Sequence, residues 1–153
     1  VAAFAPDAPV SIKWPNDLVA KSAKLAGILL EREGEAVIAG FGANLASYPG
    51  DTPRPATSLA ALAGSAPAPA AFLEVLAETF ARWLGRWRSE GLVPVRAAWL
   101  AAAHPVGAAL ATRGAGGELL EGLFDGLDET GALRLRLADG SPVTVHAGDV
   151  FLL

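Results

Sequence analysis

The chain has 153 residues, 52% hydrophobic and 18% charged, a globular composition with enough apolar surface for a core. Cysteine is absent, which excludes disulfides, thiolate metal sites and thiol nucleophiles. A net charge of −4 argues against a nucleic-acid surface over the chain as a whole. No apolar run reaches the ~18–20 residues of a membrane span. Residues 1–10 hold Asp7 and two prolines and no basic stretch, so they do not read as a signal peptide, and the cytoplasm is the default expectation. The chain opens on valine and contains no methionine, which is expected of a segment or a processed product.

Residues 10–14 alternate and are rich in β-formers, and Pro15 closes that run because it cannot donate to a ladder. Asn16-Asp17 follows as turn chemistry. Residues 25–31 and 36–41 read as two strands joined by a hairpin at Glu33-Gly34-Glu35, and their continuous apolar character predicts a sheet buried on at least one face. Residues 46–56 form a Pro/Gly-rich loop, and Thr57-Ser58 can cap a short helix over 59–63 that stops at Gly64. Phe72, Leu76, Phe80, Trp83, Leu84 and Trp87 then recur at helical spacing up to Gly91, and the Trp83/Trp87 stripe reads as core. A second helix is expected over 95–103. From Val106 the period becomes two, with Leu133, Leu135 and Leu137 alternating with Arg134 and Arg136. Glycines such as Gly107, Gly114, Gly116, Gly122, Gly131 and Gly140 punctuate short strands, the pattern of a small all-β barrel. The expected boundary lies near His104, giving an α+β part over 1–103 and a barrel over 104–153.

The chemistry-bearing residues are concentrated early. Lys13-Trp14-Pro15-Asn16-Asp17-Leu18 is followed six positions on by Lys24-Leu25-Ala26-Gly27-Ile28-Leu29-Leu30-Glu31. Asn16 and Asp17 could help hold magnesium or phosphates, or could simply form a turn. Gly40 and Gly42 permit close backbone approach by a flat ligand, or a β-bulge. Asn44 directly follows them. His104 and His146 lack acidic or histidine partners at ligand spacing, so no protein-held metal is expected. Glu31, Glu33 and Glu35 surround a hairpin and need not be a catalytic pair.

These segments, in this order, resemble biotin protein ligases. The Lys-Trp-Pro-Asn-Asp string with its second motif at fixed spacing carries most of the resemblance. Ala39-Gly40-Phe41-Gly42-Ala43-Asn44-Leu45, Ala56-Thr57-Ser58-Leu59, Ser89-Glu90-Gly91-Leu92 and residues 122–135 extend it over nearly the whole chain. The resemblance implies an α+β fold: part of a class II synthetase-like biotin/lipoate ligase sheet with helices, then a small SH3-like β-barrel. It implies a reaction in which biotin and ATP with Mg2+ give biotinyl-5′-AMP, which acylates a lysine of biotin carboxyl carrier protein. Lys13 would be catalytic, its compact positive charge drawing together two anions that repel each other. Lys13, Gly27, Gly42 and Asn44 would bind biotin or the adenylate, with Asn16, Asp17 and Lys24 supporting them. Neither membrane nor nucleic acid is implied for this segment, and a homodimer is left open.

Members of that family carry, upstream of Lys-Trp-Pro-Asn-Asp, a mobile Gly-Arg-Gly-Arg-like loop, a Ser/Thr pair and a Gln that hold biotin. None of these occurs in the present chain. The expectation is therefore a truncated portion that binds biotin poorly and turns over little. The rival readings are a non-catalytic ligase-like binding or regulatory module and a lipoate ligase of the same superfamily.

Overall fold

The structure, a computed structural model, describes residues 1–113, 117–146, 148 and 150–152; Gly114 and Gly116 of the glycine pattern lie outside the described residues. It separates into two compact units, Val1–Ser11 with Asn16–Arg82 and Ile12–Pro15 with Trp83–Leu153. Both are mixtures or successions of strands and helices, and the α+β expectation holds.

In the first unit, β2 (Asp17–Ala20), β3 (Ala23–Glu33) and β4 (Ala36–Ala43) are successive antiparallel strands. With β1 (Val10–Lys13) they make a sheet in the order β1-β2-β3-β4. The strand β2 was not expected, because Asn16-Asp17 read only as a turn. Its hairpin to β3 turns at Lys21 and Ser22, with φ of 48° and 68°. Two positive φ values in a two-residue loop normally call for Asn-Gly, and a Lys-Ser pair gives no such signal. The β3–β4 turn, with Gly34 at φ 60°, falls where expected.

The outer half of that hairpin is open. Leu29 and Leu30 are 62% and 64% exposed, and consecutive strand residues face opposite sides. Neither face is therefore covered there, contrary to the expectation of a sheet buried on at least one face. A run of apolar residues records a capacity for burial but not what supplies the cover. The inner half does better: Leu25 and Ala5 are buried with Leu59, against Phe4, Leu18, Leu45, Leu62 and Phe72. Leu59 opens α1 (Leu59–Ala63), which Ser58 caps by accepting from the Ala61 N–H and Gly64 ends at φ 77°, as expected.

Helix α2 (Pro69–Glu90) has the expected periodicity but no buried residue. Phe80 and Trp87 are 44% and 52% exposed, so the reading of this stripe as core is corrected. Helical spacing shows which residues share a face, and burial depends on a second surface meeting it.

In the second unit α3 (Leu92–Ala102) begins directly after Gly91, three residues earlier than expected, since Pro94 is tolerated in a first helical turn. Among the described residues five antiparallel strands follow: β5 (Ala109–Arg113), β6 (Leu119–Leu127), β7 (Leu133–Arg136), β8 (Pro142–Val145) and β9 (Val150–Leu152), in the order β8-β7-β6-β5-β9. Leu133 and Leu135 are fully buried while Arg134 and Arg136 face outward, as their alternation predicts. Gly122 is required where it stands: a Cβ there would lie 2.8 Å from the Arg136 carbonyl oxygen. Asp128 Oδ1 accepts from the Thr130 N–H and hydroxyl and from the Ala132 N–H, closing the β6–β7 turn.

The centre of this core includes Trp14, packed with Leu110, Phe124, Leu133, Leu135, Val145 and Val150. Its indole N–H donates to the Gly131 carbonyl at 3.1 Å. Truncating Trp14 to alanine should cost about 3–5 kcal/mol of unfolding free energy, and Trp14→Phe about 1 kcal/mol beyond its packing loss, both read from denaturant titrations. Burial, and secondarily the charge of Lys13, hold the His104 imidazole below the ordinary histidine value, and its Nε2 is buried with no hydrogen-bond partner among the described residues. The unfolded chain therefore binds this proton at higher pH than the folded one. Stability from this group is complete above the ordinary histidine pKa and falls as the pH drops through it toward the folded value. Thermal melts from pH 7.5 to 5 should show that fall, and His104→Gln should reduce it; an equal fall in the variant would remove His104 as its source.

Candidate active site

The start of β3 is held from both sides. The Lys24 N–H donates to the Pro55 carbonyl at 2.8 Å, and the Thr57 N–H donates to the Lys24 carbonyl at 2.9 Å. A parallel bridge between Lys24 and Ala56 lies between these bonds. Asn44, just past β4, ties the same region together. Its backbone N–H donates to Leu25 and its carbonyl accepts from Leu59, each at 3.0 Å. Its carboxamide nitrogen donates to the Thr57 carbonyl at 2.9 Å and, at a longer 3.4 Å, to that of Lys24. This leaves the carboxamide oxygen as its remaining hydrogen-bonding group.

Across the sheet Asp17 pairs with Gly27, and Gly27 with Gly42. Directly paired residues point to one face, so the Asp17 carboxylate stands over a strip of backbone without side chains. Lys24 is three residues before Gly27, and strict alternation would turn it to the other face. The register shift between Leu18 and Val19, which leaves Leu25 unpaired, reverses that parity. Leu25 goes into the core, and Lys24 Nζ comes back over Gly27 to meet Asp17 Oδ1 at 2.5 Å. A Cβ on Gly27 would lie 2.9 Å from Lys24 Nζ and 3.1 Å from Asp17 Oδ1, so a larger residue there would push the flexible end of Lys24 from its observed position.

Beside this strip is a broad cavity of about 930 Å³. Asn16, Lys24, Gly27, Gly42 and Asn44 line it together, with apolar walls from Leu25, Ile28, Leu29 and Phe41. Asn16 is fastened there, its side chain donating to the Ile28 carbonyl at 2.6 Å. Asp17 stands behind Lys24: its side chain is 7% exposed and that of Lys24 49%. The structure thus gathers most of the residues singled out from the sequence. Lys13 belongs to the second unit. Its side chain is buried, and Nζ donates to the Val150 carbonyl at 3.1 Å.

Sequence reasoning missed Arg54, together with Pro49, Thr52 and Pro53, which also line the cavity. They lie in a loop whose composition signals only a turn. What brings them in is the bonding of residues 55–57 to the Lys24 backbone, a long-range contact with no local signature.

Residues 5–44 match the family model for the biotin/lipoate A/B protein ligase family, and residues 111–153 match that for the biotin protein ligase C terminal domain. A biotin–[acetyl-CoA-carboxylase] ligase of Paracoccus denitrificans is 40% identical over 161 aligned residues, covering 97% of this chain and 65% of the relative. The ligase of the same name from Mycobacterium tuberculosis is 32% identical, covering 95% of this chain and 54% of the relative. The chain thus spans between about half and two thirds of these relatives. Among solved structures, a biotin protein ligase from Aquifex aeolicus in complex with biotin and ATP shares the fold with a TM-score of 0.87 at 19% identity, covering 99% of this chain and 66% of that one. The sequence matches and the shared fold agree, and the chain belongs to the biotin protein ligase family.

Proposed function

We propose that this chain carries the ligand-binding cavity of an enzyme that biotinylates proteins. In the first step a biotin carboxylate oxygen attacks the α-phosphorus of ATP, and pyrophosphate leaves. In the second, a lysine amine of a biotin carboxyl carrier protein attacks the acyl carbon of biotinyl-5′-AMP, and AMP leaves. The observation that carries the reading is the cavity beside the Gly27–Gly42 pair, where bare backbone meets apolar walls and a fastened Asn44. A flat ring can approach such backbone closely, and the Asn44 carboxamide oxygen can accept from an adenine amino group. Asn16 holds the edge of the same surface. Catalysis rests on positioning and on charge stabilisation, with no covalent enzyme intermediate.

Lys13 is the group assigned to charge stabilisation. Its ammonium supplies a compact positive charge, anchored by a bond to the Val150 carbonyl. Magnesium enters as the MgATP complex. The division into a catalytic portion over 1–103 and a barrel over 104–153 gives the barrel the task of docking the carrier. An ATP-driven modification of a carboxylase subunit fits the cytoplasm.

Transfer of radiolabelled biotin to a carrier protein tests this, with the chain alone and mixed with an upstream segment carrying the Gly-Arg-rich loop that the family resemblance implies. Label is expected on the carrier in the mixture. Saturable lipoate binding without biotin binding, by isothermal titration, would overturn the choice of substrate. Replacing Lys13 with alanine should slow adenylate formation by about 100-fold or more, the scale of losing one preorganised charge contact; an unchanged rate would remove Lys13 from the chemistry.

A further inference from the structure

The cavity lining includes two basic side chains, Lys24 and Arg54, and no carboxylate among the described residues. The Lys24 ammonium is paired with Asp17, so what it offers a ligand is a fixed set of N–H donors.

Lys24 is held more firmly than a surface lysine. Its backbone bonds through both N–H and carbonyl to residues 55–57, the segment that directly follows Arg54. Its ammonium is drawn over Gly27 by a carboxylate that is itself buried. An exposed lysine ordinarily samples many rotamers, and ordering it costs entropy on binding. Here that cost is met in folding. Pairing with Asp17 uses one of three N–H donors, and half of the side chain remains exposed beside the cavity.

We infer that Lys24 is the phosphate-binding cation of this cavity, held over Gly27 by Asp17. The inference rests on the proposed reading of the cavity as a ligand site and adds to it a residue separate from Lys13. Lys24 contacts the anionic oxygens of the ligand. Asp17 and Gly27 are positioning residues that act through it. A lysine suits this task as a point charge for phosphate. A carboxylate-bearing ligand is the competing outcome.

Titrations of the chain with inorganic pyrophosphate, ATP, adenosine and biotin separate the possibilities. Lys24→Gln should weaken pyrophosphate and ATP by about tenfold or more and leave adenosine unchanged. Lys24→Arg should restore most of the loss. Asp17→Asn and Gly27→Ala should lower the preference for ATP over adenosine while preserving adenosine affinity, a split that general damage to the fold would not produce. Because Lys24→Gln removes the Lys24 charge from a buried carboxylate, the double variant Lys24→Gln/Asp17→Asn supplies a neutral pair with the same expected loss. Equal weakening of ATP and adenosine, no pyrophosphate binding to the unaltered chain, or a Lys24 effect confined to biotin would each overturn the inference. A chain that holds pyrophosphate through Lys24 and ignores biotin would bear the inference out while refuting the biotin reading.

Discussion

A carboxylate removed from water must have a cation close by, and in the first unit much of the local geometry follows from that requirement at Asp17. Its register partner in β3 is Gly27, which has no side chain to offer. The compensating charge comes from Lys24, three residues earlier, and it can arrive only because the bulge at Leu25 reverses strand parity. Leu25 is then directed into the core, which anchors the bulge. Ion pair, glycine, bulge and core leucine are one coupled arrangement.

The cavity inherits its character from the same arrangement. At Gly27 an added Cβ would lie within 3.1 Å of both charged groups, so a larger residue would disturb the ion pair. Gly42 is under no such pressure: its nearest neighbour to an added Cβ is the Gly27 carbonyl at an ordinary 3.9 Å. Two paired glycines therefore have different reasons. One makes room for the protein's own side chains, and the other leaves backbone open toward the cavity.

The Lys-Trp-Pro-Asn-Asp string also divides its labour. Trp14 is a core residue of the second unit, sealed among Leu133, Leu135 and Phe124 and bonded to Gly131. Lys13 is buried in that unit, with its ammonium on the Val150 carbonyl. Asn16 and Asp17 serve the first unit, as a strand fastening and as the partner of Lys24. A motif that looks wholly chemical in sequence thus has several members whose observed contacts are structural.

By itself the sequence determined whatever depends on neighbours in the chain. The Ser58 cap and Gly64 stop of α1, the Gly34 turn, and the in-and-out alternation of Leu133 to Arg136 are local events, and each was legible. So was the family, because the spacing between Lys13 and Lys24 is a linear property. Tertiary structure alone decided matters that depend on distant partners. It left Leu29, Leu30, Phe80 and Trp87 largely uncovered although their patterns allow burial. It brought Arg54 to the cavity through bonds between residues 55–57 and β3. It turned Lys24 onto the face of Asp17, since the parity of a strand with a bulge is settled by the strand opposite it and cannot be counted along one chain segment.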